Sequence, residues 1–282
     1  MILPSIPALA ETRSNAVIDA HAHVFTNHLR LAPFHRYTPD ESAPAGEYLA
    51  LLRKFGFTGG VIIQPSFLGS DNSYLLSCLR QYPGVLRGVI VIDPRIGLHT
   101  IDDLRHSGCT GIRLNLFGLP DPPLQDPEWA KILARMRAVG WHVELHVEAE
   151  RIHEIAPPIL DAGVRLVIDH FGRPSPALGI DDPGFRYLLS LGPTRQVWVK
   201  ISAAYRNGNG GRGEQVALAA VPLLKRDFGP DRLLWGSDWP HTQFEKVMNY
   251  QIAYDFLLKM LPDPQERQIV LGKTPRELYL FS

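Results

Sequence analysis

Eight short apolar runs, most of them rich in β-branched residues, alternate with amphipathic segments along almost the whole chain. They are Val17–His23, Gly60–Gln64, Arg87–Asp93, Gly111–Asn115, Trp141–Val147, Arg165–His170, Gln196–Ile201 and Arg232–Asp238. Runs such as Gly88-Val89-Ile90-Val91-Ile92 have no polar alternation, which predicts strands covered on both faces, as in a parallel sheet flanked by helices. Between them lie helical patterns with start and stop signals. Pro44–Phe55 carries Tyr48, Leu49, Leu52 and Phe55 at helical spacing and stops at Gly56. Asp71 or Asn72 is placed to cap a helix running to Tyr82, and Asp126-Pro127 opens Glu128–Val139, which Gly140 closes. Further helices are expected at Thr100–His106, Gly213–Phe228, Thr242–Met260, Gln265–Leu271 and Pro275–Leu280.

Eight β–α alternations without a low-complexity linker predict one (β/α)8 TIM barrel domain over residues 1–282, with 1–15 as an N-terminal extension. The competing architecture, a doubly wound sheet, lacks a G-x-G-x-x-G after an early strand. The glycine-rich stretch Asn207–Gly213 reads as a mobile loop over the barrel mouth. Two irregular regions, Thr26–Ala43 and Phe117–Pro127, follow strands and so belong at the catalytic end.

Composition narrows the function classes. Twenty-nine Lys+Arg balance 29 Asp+Glu with no basic tract, which removes the footprint of a nucleic-acid or anionic-membrane binder. Two cysteines, Cys78 and Cys109, make no disulfide framework and imply a reducing compartment, hence a cytoplasmic location. No apolar run approaches the roughly 20 residues needed to span a bilayer.

Barrel chemistry sits at the C-terminal ends of strands. Those ends supply Asp19, His21 and His23, then Gln64 and Ser66, Asp93 and Arg95, Arg113 and Asn115, and His146. Strand six adds Asp169, His170 and Arg173, strand seven leads to Ser202 and Arg206, and strand eight ends in Ser237, Asp238 and His241. His21 and His23 are two apart, so both imidazoles face one side and need a metal, a carboxylate or an anion there. The bland alternative is that one is a hydrogen-bonded core histidine. Three histidines with Asp238 would make a Zn2+ set, although carboxylate–histidine networks also work without metal. Arg113, Arg173 and Arg206 suit substrate carboxylates, with at least one expected in a structural ion pair. Tyr37 would close over the site or pack within its loop. Asp19 and Asp169 would orient neighbouring histidines or hold backbone, and the remaining histidines (His28, His35, His99, His106, His142 and His153) read as ordinary.

These segments resemble the amidohydrolase superfamily, in the branch of 2-pyrone-4,6-dicarboxylate lactonase and related sugar-acid lactonases. The matching residues are Val17-Ile18-Asp19-Ala20-His21-Ala22-His23-Val24-Phe25, Gln64-Pro65-Ser66, Gly69-Ser70-Asp71-Asn72, Gly111-Ile112-Arg113-Leu114-Asn115, Asp169-His170-Phe171-Gly172-Arg173 and Leu234-Trp235-Gly236-Ser237-Asp238-Trp239-Pro240-His241. The resemblance implies a distorted barrel that opens a lactone ring on a small carboxylated substrate. It makes Asp238 the general base, with His21, His23 and His170 around the scissile carbonyl. Arg113, Arg173, Arg206, Tyr37 and Ser66 would hold the substrate. Two departures stand out. The loop Phe117-Gly118-Leu119-Pro120 lacks a second arginine found in the pyrone-dicarboxylate enzyme, and His146 replaces a tyrosine. The histidine favours one divalent metal, Zn or Mn, on His21, His23, His146 and Asp238, with metal-independent catalysis as the alternative. A metal-dependent decarboxylase acting on an aromatic or muconate-type acid would use the same residues. A non-catalytic carboxylate-binding barrel is the reading from another class. The chain would act as a monomer or homodimer.

Overall fold

The computed structural model describes residues 16–281, so the expected extension 1–15 lies outside the described residues. Eight parallel strands pair in chain order: β1 Ile18–Ala22, β2 Gly59–Ile63, β3 Leu86–Ile90, β4 Cys109–Asn115, β5 His142–His146, β6 Arg165–Ile168, β7 Val197–Lys200 and β8 Leu233–Leu234. The sheet curls until its ends meet. Ala20 N donates to Trp235 O at 2.9 Å, Asp238 N to His21 O at 2.8 Å and His23 N to Trp239 O at 2.7 Å. The expected (β/α)8 barrel is therefore present.

Helices α1 Ala45–Lys54, α2 Ser73–Gln81, α3 Leu98–His106, α4 Pro127–Val139, α5 Ile152–Asp161, α6 Pro183–Ser190 and α7 Arg212–Phe228 cover the outside, followed by α8 Tyr250–Met260, α9 Pro264–Gln268 and α10 Thr274–Leu278. Two of them, α5 and α6, have no counterpart among the expected helices; α5 carries Pro157 and Pro158 internally, which masks its periodicity. The helix expected over Thr242–Met260 begins only at Tyr250, where the Asn249 side chain accepts from Ile252 N at 3.0 Å. Asp71 rather than Asn72 serves the start of α2, accepting from Ser73 N at 3.1 Å. Asn72 instead bridges to the residue just after β3, giving to Val91 O at 2.8 Å and accepting from Val91 N at 3.1 Å. Asp126 holds the cap position of α4 without a side-chain cap bond.

The barrel interior is layered, as alternation along each strand requires. Ile18, Val61, Val89, Val167, Trp198, Leu278 and Tyr279 form an apolar plug at one level. A charged layer of Glu144, Lys200, Asp169 and Arg113 lies on it, each residue at most 4% exposed. Above that come the histidines and Asp238. A register shift in the β1–β2 pairing, between Asp19 and Ala22, marks the approach to the histidine pair. Cys78 and Cys109 are both buried free thiols in the larger core between sheet and helices. No helix among the described residues is long and apolar enough to cross a membrane.

Candidate active site

The histidine pair on β1 meets as its spacing predicts. His21 Nε2 and His23 Nε2 lie 3.3 Å apart, and Asp238 Oδ1 is 3.5 Å from each. His170 Nε2 is 4.0 Å from the same oxygen. All four residues are buried. Asp238 has an asymmetric carboxylate. Its Oδ2 accepts from Tyr205 Oη and Arg206 Nε, both at 2.6 Å, whereas buried Oδ1 has no hydrogen-bond partner among the described residues. Burial opposes the charge, but Arg206 and the surrounding histidines outweigh it and hold Asp238 well below the usual carboxylate range.

Backbone at the strand ends is bent to present these groups. His170, Phe171, Arg173, Ala203, Asp238 and His241 all have φ between 49° and 66°, a region non-glycine residues rarely adopt. Asp19 holds this geometry rather than a histidine ring. It accepts from Ser237 Oγ at 2.7 Å, Ser237 N at 2.8 Å and Tyr250 Oη at 3.0 Å, fixing the segment that enters Asp238.

Histidine protonation follows from contacts. His23 Nδ1 lies 2.8 Å from Ile63 O, so Nδ1 carries a proton. His21 Nδ1 lies 2.9 Å from Lys200 Nζ, an ammonium that can only donate, so the His21 proton sits on Nε2. Glu144 Oε1 and Asp169 Oδ1 also flank His21 Nδ1, but at 3.5 Å they are too far to compete with the ammonium. Burial and then the Lys200 charge push His21 well below its ordinary pKa, keeping it neutral. Burial also takes His170 down to about 3, against the pull of Asp238, while its Nδ1 sits 2.9 Å from Ser202 Oγ.

The layer beneath is balanced in charge. Arg113 gives Nε at 3.1 Å and Nη2 at 2.7 Å to Asp169 Oδ2, and Lys200 gives Nζ to Glu144 Oε2 at 2.5 Å. Asp169 thus supports Arg113, not its neighbour His170. Arg113 is the structural ion pair expected among the three arginines, yet it also lines the cavity.

That cavity, about 360 Å3, opens over the histidines and is lined by His23, Ser66, Arg113, His146, Arg173, Arg206 and Asp238 among others. Tyr37 lines it too and gives its hydroxyl to Glu245 Oε1 at 2.5 Å. Both irregular regions expected at the catalytic end reach it, through Arg36 and Tyr37 and through Phe117 and Gly118. The stretch Asn207–Gly213 does not. Asn207 is buried, with Nδ2 giving to His170 O at 3.3 Å, so the start of that stretch braces the site from behind.

Two sets of donor atoms lie within 4.8 Å of one another and could hold a metal: His21, His23 and Asp238, and His21, Asp169 and His170. His146 joins neither. Its Nδ1 is 3.1 Å from Asn115 Oδ1, Phe117 stacks on its ring, and its buried Nε2 has no partner. The donor types suit a divalent ion, but both sets need His21, and Lys200 keeps the proton on the nitrogen that would bind it at the first. In this protonation state the first set does not fit a metal, and at the second the Lys200 ammonium lies against His21 Nδ1 at 2.9 Å.

Sequence reasoning missed Lys200, Glu144, Tyr205 and Arg36. Lys200 had a signal, a charge at an inward position of an otherwise apolar strand.

The amidohydrolase family profile matches residues 18–281. The chain is 32% identical over 274 residues to 2-pyrone-4,6-dicarboxylate hydrolase of Comamonas testosteroni, covering 93% of this chain and 89% of that one. It is 30% identical over 273 residues to 4-sulfomuconolactone hydrolase of Hydrogenophaga intermedia, covering 93% and 88%. A solved structure from Pseudomonas putida, provisionally assigned as a 2-pyrone-4,6-dicarboxylic acid hydrolase, shares 42% identity at a TM-score of 0.89, covering 95% of this chain and 98% of that one. A profile spanning nearly every described residue, on a barrel whose strand ends carry the matching histidines and aspartate, settles the grouping: the chain belongs to the amidohydrolase family.

Proposed function

We propose that the protein hydrolyses the lactone ring of a small anionic substrate, with Asp238 as general base. The observation that carries this reading is the split role of the Asp238 carboxylate. One oxygen is neutralised by Tyr205 and Arg206, and the other stands bare beside the imidazoles of His21, His23 and His170 at the floor of a cation-lined cavity. Relatives at 30% and 32% identity are named for hydrolysis of two anionic lactones, which supports the same bond class here.

Attack of water on a lactone carbonyl needs a base for the water proton and donors where negative charge grows on oxygen. Asp238 Oδ1 is ionised and pre-aimed to take the proton. His21, held by Lys200 with its proton on Nε2, turns that N–H toward His23 Nε2 and Asp238 Oδ1 beneath the cavity. Arg113, Arg173 and Arg206 supply positive potential for the substrate's acid groups, and Tyr37 and Ser66 border the same space. Collapse of the tetrahedral adduct expels the ring oxygen, which takes a proton and leaves an open-chain hydroxy acid or its keto tautomer.

A divalent ion, zinc or manganese, on His21, His23 and Asp238 is the second reading. It is favoured by the gathering of those donor atoms within 4.8 Å and would supply a Lewis acid. It requires His21 to give up the Nε2 proton. The test is hydrolysis of 2-pyrone-4,6-dicarboxylate and of 4-sulfomuconolactone, before and after chelation, with elemental analysis of the protein. We expect ring opening that survives chelation. Stoichiometric metal, with activity lost on chelation and restored by the ion, would establish the second reading. Release of CO2 from either substrate would overturn hydrolysis.

A further inference from the structure

Charge pairing around the cavity leaves two guanidiniums over. Four arginines line it: Arg36, Arg113, Arg173 and Arg206. Asp169 takes Arg113 at 2.7 Å and Asp238 takes Arg206 at 2.6 Å. The Arg173 side chain has no hydrogen bond or ion pair among the described residues; its guanidinium lies 4.3 Å from the centre of the Phe117 ring. Arg36 reaches across from the loop after β1 and binds only neutral acceptors, Asn115 Oδ1 at 2.8 Å and the Phe117 carbonyl. The two unpaired cations are therefore held on one residue, one at its backbone and one at its ring. The segment they flank, Phe117-Gly118-Leu119-Pro120, has no charge of its own. Glu148, an acid whose charge acts on both cations, is already committed to Arg151 at 2.8 Å and to Gly118 N at 2.7 Å.

Two like charges brought to one wall without a counterion cost energy that a ligand anion recovers. Asn115 and the Phe117 carbonyl fix two of the Arg36 nitrogens, which orders the fork and leaves it directed along the cavity wall. We infer that Arg36 determines specificity for doubly anionic substrates by pairing, together with Arg173, with the acid group remote from the scissile ester. This deepens the lactonase reading and rests on it for the identity of the reaction, but not for the binding of the anion.

The test compares the unaltered protein with Arg36→Met and Arg36→Lys in two assays. The first is calorimetric binding of benzene-1,3-dicarboxylate, an unreactive dianion, against benzoate. The second is the ratio of kcat/KM for 2-pyrone-4,6-dicarboxylate to that for the monoanionic 2-pyrone-6-carboxylate. Arg36→Met should weaken the dianion at least tenfold more than benzoate and lower the kinetic ratio by at least tenfold. Arg36→Lys, which keeps the charge but not the fork, should fall between. Equal weakening of both ligands, an unchanged kinetic ratio, or no preference of the unaltered protein for the dianion would each overturn the assignment. If neither lactone is hydrolysed while the binding loss still appears, the lactonase reading fails and the role of Arg36 stands. If the dianionic lactone is hydrolysed with an unchanged ratio in Arg36→Met, the reverse holds.

Discussion

At the scale of single residues, the two oxygens of the Asp238 carboxylate have different surroundings. Tyr205 and Arg206 saturate Asp238 Oδ2 and leave Oδ1 bare. Asp238→Asn keeps the volume and an oxygen for Arg206 but removes the base. Loss of a positioned base costs roughly 10^2- to 10^4-fold, so kcat should fall by at least about 10^2 while circular dichroism still reports a folded barrel. A folded variant with near-normal turnover would remove Asp238 from this role. The gathering of His21, His23, His170 and Asp238 was legible because strand-end position and a spacing of two suffice to put them at one mouth. Lys200 lies inside Val197-Trp198-Val199-Lys200, where a charge at an inward position was the available sign. Arg36 carried no such sign, since no periodicity fixes the direction of a side chain in an irregular loop.

At the scale of elements, the join between β8 and β1 decides whether the site forms. β8 was expected over Arg232–Asp238, yet regular pairing stops at Leu234. The rest leaves the sheet to bring Asp238 over the histidines, with φ at 59°, and a left-handed residue inside an apolar run has no signature in hydropathy. Gly236 is what the crossing requires. A Cβ there would meet His21 Cβ at 2.3 Å and His21 N at 2.4 Å. Gly236→Ala must therefore push β1 away and displace the very histidine that faces Asp238. Overpacking of this kind costs about 1–3 kcal/mol, and lactone hydrolysis should fall together with stability. Gly46 in α1 is the control, because a Cβ there meets nothing within 4 Å. Gly46→Ala should be neutral or stabilise by up to about 1 kcal/mol. Equal denaturation midpoints for the two variants would contradict the close approach.

At the scale of the whole molecule, the barrel is a stack of environments whose consequence is a pH-dependent stability. An apolar plug supports a balanced layer of two acids and two bases, and that layer supports neutral histidines. Buried His21, His142, His170 and His241 and half-buried His146 all have pKa values below the ordinary one because burial disfavours their charged form; His170 lies at about 3 and His241 at about 4. A histidine depressed in the folded state takes up its proton more readily when unfolded. Stability is then fully present above the ordinary value of ~6.5 and declines as pH falls from there toward the folded value. For His170 alone the loss on going to about pH 5 is of order 2 kcal/mol. Glu144 and Asp19, raised by burial, act in the opposite sense, but they are two groups against five. The Asp169 and Asp238 carboxylates, held low, add nothing until the pH drops below ~4. Thermal unfolding should therefore move down by several degrees between about pH 7.5 and about pH 5. A Tm that holds or rises over that interval would mean the histidines are not buried as neutral rings, and the tautomer that Lys200 imposes on His21 would lose its basis with them.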